Sequence, residues 1–133
     1  MLLIDTSVWI PFFNDAKSAA ADFLETALLD NRVTCINAIV EMEILQGIRD
    51  EDSFLETKRY LEDFQYFPML GKEYYDKAVE IFRACRKRGI TVRRSLDCVI
   101  AANCIIDGLT VVHQDRDFEF IKKAFPALMT IPL

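Results

Sequence analysis

The sequence predicts an α/β fold, a three-layer sandwich in which a central sheet of about five parallel strands carries helices on both faces. Short apolar runs that are typical of buried strands alternate with longer segments of helical periodicity. A helix between consecutive strands can serve as the crossover that parallel strands need, so this alternation favours parallel pairing. No linker-like stretch divides the sequence, which predicts a single domain over residues 1–133.

The first half of the chain begins with an apolar strand and continues mainly as helices. Leu2–Ile4 is a short buried-strand run, and Thr6 or Ser7 can cap the helix that carries Trp9. The elements that follow are a helix over Ser18–Leu29, a strand over Arg32–Ile36 with β-branched residues, a helix capped by Asn37 and running to about Gln46, and an amphipathic helix over Asp50–Phe64.

The second half continues the alternation, and glycines end its helices. The predicted elements are a strand at Phe67–Leu70, a helix over Lys72–Arg88 stopped by Gly89, and a helix over Leu96–Ile106 capped by Ser95 and ended by Gly108. A strand over Leu109–Val112, a short helix over Phe118–Ala124 and a last strand at Thr130–Ile131 complete the prediction.

The composition argues against several classes of protein. The four cysteines show no C-x-x-C spacing and the chain has one histidine, so a structural zinc site is not expected. The N-terminus MLLIDTSVWI has no basic segment and contains an aspartate, so it does not predict a signal peptide. No apolar run approaches the roughly 18 residues of a membrane span. We expect a reduced cytoplasmic protein.

The charge distribution is uneven along the chain. The net charge of −5 disfavours nucleic-acid binding by the molecule as a whole. Six of the sixteen basic residues nevertheless fall within twelve positions: Arg83, Arg86, Lys87, Arg88, Arg93 and Arg94. The first part of this segment can be the solvated face of a helix. Arg93 and Arg94 directly precede the next helix, and they are the better candidates for phosphate contacts.

Acidic residues follow two of the predicted strands at their carboxyl ends. Asp5 comes directly after the first strand, and Asp115 and Asp117 follow the fourth. In open parallel sheets, ligands bind just beyond these ends. The structural alternative is that Asp5 only caps a helix, although Thr6 or Ser7 could do so. Asp117 could likewise cap the helix that follows it, so Asp115 is the preferred ligand and Asp117 stays open.

Two further carboxylates lie on helix faces that are predicted to turn inward. Glu43 shares its face with Ile39 and Val40, whereas Glu41 falls almost opposite and is expected to be solvated. Asp97 lies on the apolar side of its helix, in the first turn, where the helix dipole favours negative charge. An inward carboxylate is costly unless a cation compensates it. A bound metal ion would do so, and an arginine is the structural alternative for Glu43.

Four carboxylates are therefore expected at one edge of the sheet: Asp5, Glu43, Asp97 and Asp115. Ligand sets made only of oxygen suit magnesium or manganese rather than zinc. One or two such ions about 4 Å apart polarise a phosphodiester, activate a water and stabilise the leaving oxygen. The residues by themselves predict metal-dependent phosphodiester hydrolysis that requires no protein nucleophile.

Four pieces of the sequence together resemble a known family. They are Asp5-Thr6-Ser7, the E-x-x-x-G run from Glu43 to Gly47, Ser95-Leu96-Asp97 followed at Ile100 by Ile-Ala-Ala, and His113-x-Asp115-x-Asp117-Phe118. In this order and spacing, over the whole chain, they resemble a PIN-domain nuclease, and more narrowly the VapC toxins of bacterial and archaeal toxin–antitoxin pairs. Many relatives have Thr or Ser followed by Asn where this chain has His113-Gln114, which leaves the register of the fourth acid open.

The resemblance implies a Rossmann-like parallel sheet, endoribonuclease activity dependent on magnesium or manganese, and a homodimer. It also implies a cognate VapB-type antitoxin whose C-terminal segment wraps the toxin and reaches the acidic pocket. RNA contact is then expected from Arg93 and Arg94. The site roles implied by the resemblance are Asp5 and Asp97 as primary metal ligands, Glu43 and Asp115 as third and fourth acids, and Thr6 or Ser7 orienting a ligand or the water.

Other interpretations of the same residues stay open. His113 is expected to be structural rather than catalytic, and Trp9 and its neighbouring phenylalanines to pack in a core or a dimer rather than stack on bases. A phosphoacceptor domain would need paired acids after the first strand and a lysine after the last, which this chain lacks. A processing or DNA-directed nuclease and a non-catalytic binding module remain as alternatives.

Overall fold

A computed structural model describes residues Met1–Leu133 and shows five strands and seven helices. The strands are β1 (Leu2–Ile4), β2 (Thr34–Asn37), β3 (Gln65–Phe67), β4 (Thr110–His113) and β5 (Met129–Pro132). The helices are α1 (Thr6–Phe13), α2 (Ala19–Leu29), α3 (Ala38–Gln46), α4 (Glu51–Leu61), α5 (Lys72–Lys87), α6 (Ser95–Asp107) and α7 (Arg116–Ala124). Every strand pair is parallel, which confirms the predicted fold class.

The strand order β3-β2-β1-β4-β5 places β1 at the centre of the sheet. In this strand Leu3 pairs with Cys35 of β2 on one side and with Val111 of β4 on the other. The chain therefore builds one half of the sheet outward from β1 and then crosses over to build the other half. Ligands in such sheets bind beside this switch point, at the carboxyl ends of the strands.

The core lies on both faces of the central strands. Leu3 and Ile4 of β1 and Val111 and Val112 of β4 have no exposed surface, as expected for parallel strands covered by helices. Helix α6 is buried all round, since each of the eight residues from Asp97 to Cys104 is buried. A helix of this kind is held between other layers rather than at the surface.

The aromatic residues of α1 pack inside the molecule. The ring of Trp9 is fully buried and stacks on Phe13 with centroids 5.4 Å apart, and Phe64 meets it edge-on at 5.1 Å. This packing confirms the core role expected for Trp9, which cannot stack on a base. All four cysteines are free and buried. The protein contains no helix of sufficient length and hydrophobicity to traverse a membrane.

Several predicted element boundaries are wrong, and the backbone explains two of them. The third strand was expected at Phe67–Leu70 but ends at Phe67. Pro68 has no N–H to extend the ladder, and Met69 turns the chain away from the sheet with φ of +52°. Ser95 is the first residue of α6 rather than its cap, because Arg94 has the extended backbone of the cap position.

Candidate active site

Asp5 lies at the carboxyl end of β1 and caps α1. Its Oδ2 accepts hydrogen bonds from the Ser7 N–H at 2.9 Å and the Ser7 hydroxyl at 2.5 Å. The prediction that Thr6 or Ser7 caps this helix is wrong, because the extended backbone of Asp5 brings its own carboxylate to the free N–H groups. The cap uses only one oxygen. Oδ1 of Asp5 is buried and has no hydrogen-bond partner.

Ser7 connects Asp5 to the loop after β4. The Ser7 hydroxyl donates to Asp5 and accepts a hydrogen bond from the Gln114 N–H at 3.0 Å. The ends of the two central strands are therefore joined through one side chain. This contact holds the carboxylate of Asp5 in a single orientation at the switch point.

Glu43 turns toward the same crevice from α3. Its side chain is only 8% exposed, and its Oε2 accepts a hydrogen bond from the Thr6 hydroxyl at 2.8 Å. Glu41 lies instead beside Tyr66 of β3, where its charge adds to the effect of burial in raising the pKa of Tyr66. The two glutamates therefore face different neighbours, but Glu41 is half-buried rather than solvated as predicted.

Asp97 occupies the first turn of α6 and is 1% exposed. Its Oδ1 accepts a hydrogen bond from Arg94, whereas its Oδ2 is buried without a partner. Burial raises the pKa of Asp97 to about 6, and the charges of Asp115 and Asp5 add to this rise. The charge and hydrogen bond of Arg94 act in the opposite direction but do not cancel it. Only one of the two oxygens of the buried Asp97 carboxylate therefore has a hydrogen-bond partner within the protein.

Asp115 and Asp117 share one turn at the start of α7. Asp115 is the helix cap, because its Oδ1 accepts a hydrogen bond from the Asp117 N–H at 3.0 Å. The prediction of a helix that begins at Phe118, with Asp117 as its cap, is therefore wrong. Asp117 is 2% exposed and accepts hydrogen bonds from the N–H and the Nε of Arg93.

The structure brings three acids together, and this group differs from the predicted quartet because it includes Asp117 and leaves out Asp5 and Glu43. Ligand oxygens of Asp97, Asp115 and Asp117 all lie within 4.8 Å of one another. Glu43 joins this group through Arg94, which binds both Glu43 and Asp97. Hard divalent cations prefer carboxylate oxygens, and two of the buried oxygens here, on Asp5 and Asp97, have no other partner. The donor set therefore fits a magnesium or manganese ion.

Two neighbouring arginines provide the positive charge of the site. Arg93 contacts Asp115 and Asp117 at 2.9 and 3.0 Å, and the hydrogen bond to Asp117 is the main reason that the pKa of Arg93 is raised. For Arg94, burial opposes the charge, but attraction to Asp97, Glu43 and Asp5 still raises its pKa. The side chains of Arg93 and Arg94 are 55% and 50% exposed, so both also reach solvent.

Few features of the sequence indicated these ion pairs. Only the spacing of three residues between Arg94 and Asp97 could have indicated one of them. The sequence analysis also missed a buried pair of side-chain amides. The Nδ2 of Asn37 donates a hydrogen bond to the Oδ1 of Asn103 at 2.9 Å, and both residues are fully buried. This bond connects the end of β2, where Asn37 caps α3, to α6, and α3 and α6 are the helices that carry Glu43 and Asp97. An asparagine within an apolar helix was the available signal, since a buried amide requires a partner.

His113 is buried at the end of β4. Its Nε2 lies 3.2 Å from an oxygen of Glu119, and its ring packs on Phe118 with centroids 5.0 Å apart. These contacts support the structural interpretation of this histidine.

The sequence profile of a known family matches nearly all of the chain. The profile is that of the PIN domain, and the match covers residues 2–124. The chain therefore belongs to the PIN domain family. This confirms the resemblance that the four sequence pieces indicated.

Its relatives within that family are VapC ribonucleases. Ribonuclease VapC11 of Mycobacterium tuberculosis is 34% identical over 125 residues, which is 92% of each chain. A VapC ribonuclease of Mycobacterium bovis matches with the same identity and coverage.

Solved structures share the fold at lower sequence identity. VapBC2 from Rickettsia felis, bound to a promoter DNA fragment, superposes with a TM-score of 0.77 at 17% identity, covering 99% of this chain and 98% of that one. DNA-bound VapBC from Salmonella typhimurium superposes equally well, at 20% identity over 98% and 96% of the two chains.

Proposed function

We propose that this protein is an endoribonuclease dependent on magnesium or manganese and the toxin of a VapBC-type toxin–antitoxin system. The observation that carries the proposal is the acidic group of Asp97, Asp115 and Asp117, together with the buried oxygens of Asp97 and Asp5 that lack a partner. The similarity to VapC ribonucleases over 92% of the chain supports RNA as the substrate.

The proposed metal site draws on four segments of the chain, which are the end of β1, α3, α6 and the start of α7. Asp5 and Asp97 are the proposed primary ligands, with Glu43 and Asp115 completing the set and Asp117 as the alternative fourth acid. When bound, a divalent ion supplies an activated water and a polarised phosphate. The protein's own hydroxyl groups orient the acids that would hold the ion. The Thr6 hydroxyl holds Glu43, and Ser7 holds Asp5, before any ligand arrives.

The substrate reaches this site past the two arginines. Arg93 and Arg94 are half exposed and lie directly before the helix that carries Asp97. Their guanidinium groups can contact phosphate oxygens while the carboxylates stay buried. We therefore propose both as RNA-contacting residues at the mouth of the site.

The proposed partner is a VapB-type antitoxin, in a hetero-oligomer built on a toxin homodimer in the cytoplasm. A groove of about 740 Å³ between α1, α2 and α4 supports the proposal of an antitoxin partner. Its lining includes the aromatic residues Phe12, Phe13 and Tyr60 and, among its acids, Asp22 and Glu25. Such a groove suits an amphipathic segment with apolar anchors and basic flanks. Co-purification with the product of a small neighbouring reading frame would test this part.

Cleavage assays test the activity directly. Wild type, Asp5→Asn and Asp97→Asn are incubated with a mixed RNA pool and a matching single-stranded DNA, in magnesium, manganese or EDTA. We expect wild type to cut RNA only with metal and both variants to be inactive, while Glu41→Gln retains activity. Cutting in EDTA, or equal cutting by Asp97→Asn, contradicts the proposal. Cutting of DNA alone would indicate a DNA-directed nuclease.

A further inference from the structure

Arg94 occupies the space between two buried carboxylates. The same terminal nitrogen of Arg94 lies 2.8 Å from an oxygen of Glu43 and 2.9 Å from an oxygen of Asp97. The two acids come from different helices and are 8% and 1% exposed, whereas the arginine is 50% exposed. One flexible, half-solvated side chain thus neutralises two groups that are fixed inside the protein.

This arrangement makes Arg94 a competitor for any cation that uses the same acids. Buried carboxylates need a compensating positive charge, and the guanidinium supplies it in the protein alone. A divalent ion held by Asp97 and Glu43 would take over these oxygens and repel the guanidinium beside it. Asp97 can begin this exchange without losing Arg94, because its Oδ2 has no partner.

Arg93 contacts acids in a different way. Asp117 accepts a hydrogen bond from the backbone N–H of Arg93 as well as from its side chain. The backbone bond remains wherever the guanidinium moves. The side chain of Arg94, by contrast, holds Glu43 and Asp97 only through its terminal nitrogen, while its backbone carbonyl accepts the Asp97 N–H at 3.2 Å. Its side chain can therefore leave while its backbone stays in place.

We propose that Arg94 is an internal counter-ion that is exchanged for the divalent cation, and that the released guanidinium then serves the substrate phosphate. The inference rests on the proposed function, because it requires a metal site at Asp97 and Glu43. It assigns Arg94 two successive partners. Carboxylates hold it when the site lacks metal, and a phosphate holds it when metal and RNA are bound.

Calorimetric titration of Mn²⁺ into the metal-free protein tests the exchange. We compare wild type with Arg94→Ala and Arg94→Lys, and use Arg86→Ala, an exposed arginine of α5, to control for the lost charge. Arg94→Ala is expected to bind Mn²⁺ about ten-fold more tightly, which is an ordinary size for coupling between competing ligands. Arg94→Lys and Arg86→Ala should stay near the wild-type affinity.

A second measurement uses wild type alone, in case Arg94→Ala is too unstable to purify. The Nε–H resonance of Arg94, assigned with Arg94→Lys, should shift when Mg²⁺ is added, because the side chain leaves its carboxylates. Equal Mn²⁺ affinity of wild type and Arg94→Ala, or an unmoved resonance in metal-saturated protein, overturns the exchange but leaves the metal site intact. No Mn²⁺ binding by any of the proteins overturns the proposed function and the exchange together.

Discussion

The acidic site has two halves, each held by one of two adjacent arginines, and they differ in how fully their carboxylates are satisfied. The inner half comprises Asp5, Glu43 and Asp97 with Arg94, and the outer half comprises Asp115 and Asp117 with Arg93. In the outer half the carboxylates accept backbone N–H groups as well as the guanidinium. In the inner half, one oxygen of Asp5 and one of Asp97 are buried with no partner.

This difference separates carboxylates that are held by the protein's own contacts from carboxylates that keep one oxygen free for a ligand, as Asp5 does although its other oxygen caps α1. The backbone bonds of the outer half anchor the start of α7, so these carboxylates stabilise the structure that carries them. The inner half bears a burial cost that its own contacts do not remove, as the raised pKa of Asp97 indicates. Buried carboxylates with a raised pKa in a crevice are typical of functional sites.

The largest expected effect is the loss of RNA cleavage when an acid of the inner half is replaced. Asp97→Asn should lower metal-dependent RNA cleavage by at least 10²- to 10³-fold, on the order seen when one group that stabilises developing charge is removed. Rates measured with saturating magnesium, on protein whose circular dichroism matches wild type, check this. If folded Asp117→Asn loses as much activity as Asp97→Asn, the two halves are not distinct.

Replacements in the outer half should also lower the stability of the protein. Asp117→Ala is expected to lower the free energy of unfolding by about 1–3 kcal/mol. The reason is that the backbone N–H and the Nε of Arg93 lose the buried carboxylate that accepts their hydrogen bonds. Asp115→Ala should cost about 1 kcal/mol as the loss of a helix cap. Urea titrations without metal measure both. Because Asp115 is also the proposed fourth acid, folded Asp115→Ala should lose cleavage as well, and full cleavage by this variant would transfer that role to Asp117.

Stability of the metal-free protein should also depend on pH through Asp97. Burial raises the pKa of Asp97 from 3.8 to about 6 in the folded state, so the ionised form destabilises the fold. This penalty is absent below about pH 4, grows as the pH rises to 6 and is constant above. Asp97→Asn should therefore be more stable than wild type at pH 8, on the order of 1–3 kcal/mol, since one pKa unit corresponds to about 1.4 kcal/mol.

Chemical denaturation of both proteins in EDTA at pH 8, 6 and 4 measures this difference. The advantage of Asp97→Asn should shrink toward zero as the pH falls to 4. An advantage that does not change with pH would mean that packing, rather than the charge of Asp97, causes it.

The smallest effects on RNA cleavage are expected from replacing either of the two glutamates of α3, which are compared with each other. Glu41→Gln changes a partly exposed residue beside Tyr66 and should leave cleavage unchanged. Glu43→Gln removes the charge that faces Arg94 and should reduce cleavage by about 10- to 100-fold, as for residues that orient metal ligands. Full activity of Glu43→Gln beside an inactive Glu41→Gln would reverse the assignment of the inward face.

Local patterns in the sequence were sufficient for the order and type of the elements and for the inward faces of two helices. Glu43 and Asp97 lie where helical periodicity put them, because the apolar neighbours that define a buried face are visible three and four residues away. The strand ends that carry Asp5 and Asp115 followed from the apolar runs before them. Boundaries moved where a residue such as Pro68 prevents further pairing, and where a helix takes its cap from an earlier residue, as α6 does from Arg94 and α7 from Asp115.

The tertiary structure alone decided how the acids are paired. Arg94 meets Glu43 across 51 positions of sequence, and Asn37 meets Asn103 across 66. Periodicity describes only neighbours within a turn or a strand, so it cannot show which distant charges meet. The sequence therefore determined which carboxylates reach the edge of the sheet. The packing of α3, α6 and α7 around that edge decided which of them are satisfied by the protein and which are left with free oxygens.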